Sequence, residues 1–141
     1  MSLTITETSD KILERLSEIQ GPKKIDDWGG DIETVIKQAK VLPAIYLTYD
    51  GTRFLPKELL DTDASQHQDT WAIVVIDKSL RGQDDAATGC YKMIEEVRKK
   101  LIGYNIGNAW LWPLTESQVY QENGKLAYVC EYIVDIETED L

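Results

Sequence analysis

The sequence predicts an α+β domain: a mixed or mostly antiparallel sheet with helices packed on one face, in the order α-α-β-β-α-β-β-β. Three observations predict it. Trp71-Ala-Ile-Val-Val-Ile76 is a near-continuous apolar run, the pattern of a strand covered on both faces. Asp85 to Leu101 is a long amphipathic segment that would lie back on that sheet. Asn123-Gly124 between two strand-like runs signals a hairpin, which demands antiparallel pairing. At 141 residues, one domain over 1–141 is expected, long enough to bury a core without disulfide staples. Charged residues at 28% and hydrophobic residues at 43% exclude a globally disordered chain.

The first helix is predicted over Ser9–Gln20, with Ile12, Leu13, Leu16 and Ile19 on one face and Ser9 as N-cap. A start near Thr4 would add Ile5, and Gly21-Pro22 ends the helix. Lys23 to Gly30 reads as a loop or short irregular strand around Trp28, with a turn at Gly29-Gly30. Asp31 caps a second helix to Lys40, whose apolar side is Ile32, Val35, Ile36 and Ala39. Pro43 stops it, Ala44 to Tyr49 is a β-branched and aromatic strand, and Asp50-Gly51 reads as a turn. Residues 52–69 form a long polar loop with Phe54-Leu55 and Leu59-Leu60 as anchors; a connection of that length is functional or mobile.

In the third helix Ala87, Cys90, Tyr91, Ile94, Val97, Arg98 and Leu101 trace one stripe. Glu95 and Glu96 stand four residues before Lys99 and Lys100, Asp84 and Asp85 complement the positive helix end, and Gly103 is the stop. Ala109 to Pro113 reads as an aromatic strand or extended segment, held to a strand end or edge by Pro113. Glu116 to Tyr120 alternates and the chain returns as Lys125 to Glu137. That strand puts Leu126, Tyr128, Cys130, Tyr132, Val134 and Ile136 on one face and Val129 and Ile133 on the other. Residues 137–141 are an acidic, frayed tail.

Residue chemistry assigns no catalytic, cofactor-binding or metal-ligating residue. His67 lies in the most polar stretch beside Gln66 and Gln68 and reads as solvated. Asp61, Asp63 and Asp69 lack the Gly and terminal Glu of a calcium loop. Ser65 and Ser79 lack a nucleophile-elbow context, and there is no phosphate-binding Gly-rich motif. Cys90 and Cys130, among apolar neighbours, read as free buried thiols in a reducing compartment. A net charge of -10 disfavours gripping duplex DNA or anionic membranes. Met1 to Glu7 does not have the pattern of a secretory leader, and no apolar run approaches the about 20 residues that span a bilayer. Trp110 and Trp112 point the same way if extended, with Leu111 opposite. They could be core, a partner interface, or a stacking platform for single strands, which the acidic charge opposes.

Asp84-Asp-Ala-Ala-Thr-Gly-Cys-Tyr-Lys-Met-Ile-Glu-Glu-Val-Arg-Lys-Lys-Leu-Ile-Gly103 follows a pattern of small-x-Gly-x-Tyr, helix, then Val-Arg-x-x-Leu-x-Gly. With Pro43-Ala-Ile-Tyr-Leu-Thr-Tyr-Asp-Gly51 it resembles a family of small tail proteins of Mu-like phages and prophages, over residues 30–136. The resemblance implies a tail-terminator-like fold and a tail-terminator or tail-completion role. In that role a ring, usually hexameric, caps the tail tube, ends polymerisation and presents a surface for head joining. It implies self-association, contacts with tube and sheath proteins and the head–tail connector, and no cofactor or enzymatic activity. It also implies assembly in the bacterial cytoplasm and residence in the virion tail. Acidic groups facing a lumen would keep passing DNA from sticking. Trp110 and Trp112, with Arg81 and Asp84 ahead of the third helix, are the candidate interface positions. The polar loop 52–69 has no counterpart in the family pattern. A small, acidic, non-enzymatic adaptor binding a protein partner through Trp110, Trp112 and that loop is the alternative.

Overall fold

The computed structural model describes residues 3–56, 65–79, 83–107 and 109–138. Among them are helices α1 (Ile5–Leu16), α2 (Ile32–Gln38) and α3 (Gln83–Leu101). The strands are β1 (Lys24–Asp27), β2 (Ala44–Phe54), β3 (Ser65–Lys78), β4 (Trp112–Glu122) and β5 (Lys125–Thr138). One five-stranded sheet has the spatial order β1-β2-β3-β5-β4. The β1–β2 pair is parallel and the other three are antiparallel, the mixed, mostly antiparallel α+β sheet that was expected.

β3 carries the architecture. Trp71, Ile73 and Val75 enter one core, while Ala72, Val74 and Ile76 enter another on the opposite face. The first core is closed by Ile12 and Leu16 of α1 and by Cys90, Val97 and Leu101 of α3. The second is closed by Val35, Ile36 and Ala39 of α2. The expectation that the helices pack on one face therefore needs correction for α2. Ala72, Val74, Ile76, Ala127 and Val129 form a second apolar surface that water would otherwise meet. α2 is held there by Lys125, whose Nζ donates to the carbonyls of Ile36 and Ala39 at 2.9 Å each, at the negative helix end.

Several boundaries move. α1 starts at Ile5 because Thr4 and Glu7 form a reciprocal capping box, so Thr4, not Ser9, is the cap. Lys24–Asp27 becomes a strand through backbone pairing with Ala44–Leu47, extended by Trp28 N–H to the Leu47 carbonyl at 2.8 Å. Asp50-Gly51 is a bulge rather than a turn, with Gly51 at φ 119°, and β2 runs on to Phe54. Strand pairing of Thr52 with Asp69, Arg53 with Gln68 and Phe54 with His67 takes up both ends of the expected 52–69 loop. Leu59, Leu60, Asp61 and Asp63 lie outside the described residues. Glu137 and Thr138 pair with Gln66 and Ser65, so β5 enters the expected frayed tail; residues 139–141 lie outside the described set. Ala109–Pro113 is not a separate strand: Trp110 makes a single bridge to Asn105 and β4 begins at Trp112.

The Asn123-Gly124 hairpin forms as expected, with φ of 54° and 79°. On α3 the buried stripe includes Ala86 and Met93, whereas Tyr91 stays half exposed against the Tyr128 ring at 6.0 Å. The Glu95–Lys99 and Glu96–Lys100 pairs give way to others. Lys99 reaches Glu96 at 3.1 Å, and Lys100 turns to Glu18 at 3.2 Å because that side of α3 faces α1. Arg15 completes this contact, donating from Nε to the Lys100 carbonyl at 2.9 Å with its guanidinium 5.0 Å from the Tyr104 ring centre.

Gly89, the glycine of the Gly-x-Tyr motif, has a packing reason. A Cβ there would stand 1.8 Å from an Asp77 carboxylate oxygen. The glycine thus lets α3 close onto the end of the apolar run of β3. Gly89→Ala is expected to destabilise the fold by about 1–3 kcal/mol through overpacking, despite the better helix propensity of Ala. Asp77→Ala in the same chain removes the collision, so a double-mutant cycle by denaturant unfolding should show strong coupling. Additive effects would contradict this account.

Candidate functional site

The end of α3 sets up the surface. Gly103, at φ 74°, turns the chain, and its N–H donates to the Leu111 carbonyl at 2.9 Å. Tyr104 and Leu111, then Ile106 and Ala109, pair across a small loop closed by Gly107 N–H on the Asn105 side-chain oxygen at 2.8 Å. Leu111 is fully buried in the core with α1 and α3. Alternation along an extended chain then places its neighbours outside. Trp110 is 60% exposed and Trp112 58% exposed. The core reading of these two tryptophans is thereby overturned, and the opposition of Leu111 to both of them holds.

β4 continues this surface. It lies at a sheet edge, and its pairing with β5 is interrupted between Pro113 and Thr115 and between Gln118 and Tyr120. The two residues at these bulges, Leu114 and Val119, are both exposed. Pro113 and the bulges blunt the outer edge of β4 against simple strand addition. The edge therefore offers apolar side chains more readily than a clean row of backbone groups. Arg98 pins it to α3 through Glu116, with Nε donating at 2.9 Å, and Thr115 donates to Glu131 at 2.6 Å.

Arg81 lies outside the described residues. Asp84 is in the first turn of α3, and Trp110 follows the last; the intervening helix is roughly 25 Å long. Asp84 and the tryptophans thus do not form one patch. Among the described residues no group of three or more His, Cys, Asp and Glu side chains is placed to hold a metal. His67 sits on β3 rather than in a solvated loop, its Nε2 3.6 Å from the carboxylate of the buried Asp69, which accepts from Thr52 at 2.6 Å.

Both thiols are free and buried. Burial pushes Cys90 and Cys130 up to about 12, so both stay protonated at neutral pH and offer no thiolate nucleophile. The Asp77 carboxyl also lies above its ordinary value, chiefly because burial disfavours its charge, with the Lys78 N–H and the Lys23 ammonium pulling the other way.

A family model described as Bacteriophage Mu, Gp37 matches residues 4–135. No curated protein sequence matches. Among solved structures 36 chains match, one of them from "Virion of native gene transfer agent (GTA) particle". It is 12% identical with a TM-score of 0.57, over 89% of this chain and 91% of that one. At that identity the likeness shows a shared fold.

Two outcomes follow from the geometry. Replacing both Trp110 and Trp112 by Ala should change folding stability by less than about 1 kcal/mol, whereas Leu111→Ala should cost about 2–5 kcal/mol; thermal unfolding measures both. A raised folded-state pKa means that the contribution of Asp77 is present below the ordinary carboxyl pKa and lost as pH rises through the raised value. Asp77→Asn should therefore melt higher than the parent near neutral pH, with the advantage shrinking as pH falls into the ordinary carboxyl range. A pH-independent difference would contradict the assignment.

Proposed function

We propose that this chain, which belongs to the Bacteriophage Mu, Gp37 family, is a structural tail protein whose copies form a ring capping the tail tube. The ring would cover the last tube subunit, end polymerisation and present a surface for head joining. Its partners would be further copies of itself, the tube and sheath proteins and the head–tail connector. It would assemble in the bacterial cytoplasm and remain in the virion tail, and it would act by binding rather than catalysis.

The observation that carries this reading is the pair of exposed indoles at the β4 edge. Trp is among the residues most enriched in protein interfaces, and isolated monomers rarely display two beside further apolar groups without a use. The positions are built, not incidental: Leu111 anchors the segment in the core and the Gly103 turn aims it. The family places the chain among phage proteins, and the shared fold with a chain from a gene transfer agent virion supports incorporation into a particle. The net charge of -10 fits a ring through which DNA passes without sticking.

Deleting the gene from an intact phage is the test. Electron microscopy should show headless tails of irregular, extended length, restored by the protein supplied in trans. Head-joined tails of normal length would overturn the capping role. A one-to-one complex with another protein and no self-association would favour the adaptor reading.

A further inference from the structure

We propose that α2 is a strap that opens independently of the rest of the fold, held shut over the second core by the Lys125 side chain. The chain on either side of it is fixed. Trp28 donates its backbone N–H to the Leu47 carbonyl at 2.8 Å, and its own carbonyl accepts from the Thr48 hydroxyl at 2.7 Å. Beyond α2, the Pro43 carbonyl accepts from the Lys23 N–H at 2.8 Å. Gly29 and Gly30 follow the first anchor directly. A Cβ at Gly29 would meet no atom within 4 Å, so the chain has room to turn there.

Between these anchors little holds the helix down. α2 is 7 residues long, too short to persist in water on its own hydrogen bonds. Its Asp31 cap and its Lys37–Glu33 ion pair are internal to it. α1 and α3 support one another on the first core, through Lys100 with Glu18 and Arg15 with the Lys100 carbonyl. α2 belongs to the separate second core, so neither of them backs it. It brings three fully buried side chains, Val35, Ile36 and Ala39, against alanines, valines and one isoleucine of β3 and β5.

The Lys125 ammonium supplies the tether. Its two bonds go to the Ile36 and Ala39 carbonyls, where the helix ends, its carbonyls lack intrahelical partners and its dipole is negative. Burial and the nearby Lys78 ammonium push the Lys125 ammonium below its ordinary value, so its charge leans on those two carbonyls. Opening α2 breaks two charge-assisted hydrogen bonds and uncovers three apolar side chains. Opening β3 breaks backbone pairing with both neighbours and empties both cores. The strap therefore stands at the low end of the stability range within the fold, and its release bares the second core while the first stays closed.

Hydrogen exchange of the full chain, followed amide by amide at low urea concentrations, tests this. In the wild type the amides of Val35 to Ala39 should exchange at least about tenfold faster than those of Trp71 to Ile76, with a shallower urea dependence, because local opening exposes less surface than unfolding. Two variants separate the strap from the rest. Val97 is fully buried in the first core. Val97→Ala should speed exchange of Trp71–Ile76 and leave α2 unchanged, since the first core stays intact when the strap opens. Lys125→Met keeps the apolar stem and removes the donors, and should speed exchange of α2 by roughly tenfold or more, the factor for one charge-assisted hydrogen bond. Equal rates in α2 and β3 with one steep urea dependence, or α2 amides that quicken with Val97→Ala, overturn the independent opening. α2 amides indifferent to Lys125→Met overturn the role of Lys125.

Discussion

The fold depends on β3 being buried on both faces at once. Six consecutive residues, Trp71 to Ile76, send alternate side chains into two separate cores, and none is more than 1% exposed. A strand of this kind can exist only if the protein supplies cover on both sides. α1 and α3 cover one face and α2 the other. The remaining strands pair outward from β3, so β1 and β4 become the edges by position. At the end of this run Asp77 occupies the space a side chain at Gly89 would need.

What is left at the edges follows from what the centre consumes. The central strands and the helices hold the core, and no position of β4 is fully buried. Its pairing is twice interrupted and begins beside a proline. Leu111, locked in the core, forces its neighbours out, so the exposed tryptophans are a consequence of how one leucine is anchored. The resulting surface is tied to α3 through Arg98 and Glu116 and shows Trp112, Leu114 and Val119 to water among polar neighbours. The two buried cysteines contribute volume to the core, and burial holds their thiols protonated.

Much of this was legible in the sequence, and each failure has a physical cause. The run at Trp71–Ile76 could be read as doubly buried because an apolar run without alternation leaves no wet face. Asn123-Gly124 could be read as a hairpin because both positions need a positive φ. β1 was harder, since Lys24-Ile-Asp-Asp27 is mostly charged and is a strand only because the edge of β2 is there to pair with. The polar arms of β2 and β3 escaped for the same reason: backbone ladders do not require apolar side chains. The Thr4–Glu7 capping box was present in the sequence, but Ser9 competed for the same role. α2 was placed on the wrong face because periodicity identifies a helix's apolar side and not the sheet face it meets. Trp110 and Trp112 have the composition of core residues, and only the burial of Leu111 decides that they face outward.

The central claim is that the β4 edge is an assembly surface held by the fold and covered in the working particle. Backbone hydrogen exchange, compared between the free protein and the protein bound at the ends of purified tail tubes, tests it most directly. The account predicts that amides from Trp110 to Val119 become strongly protected on assembly, while those of Trp71 to Ile76 are slow in both states. Unchanged exchange over Trp110–Val119, with protection appearing elsewhere, would contradict it.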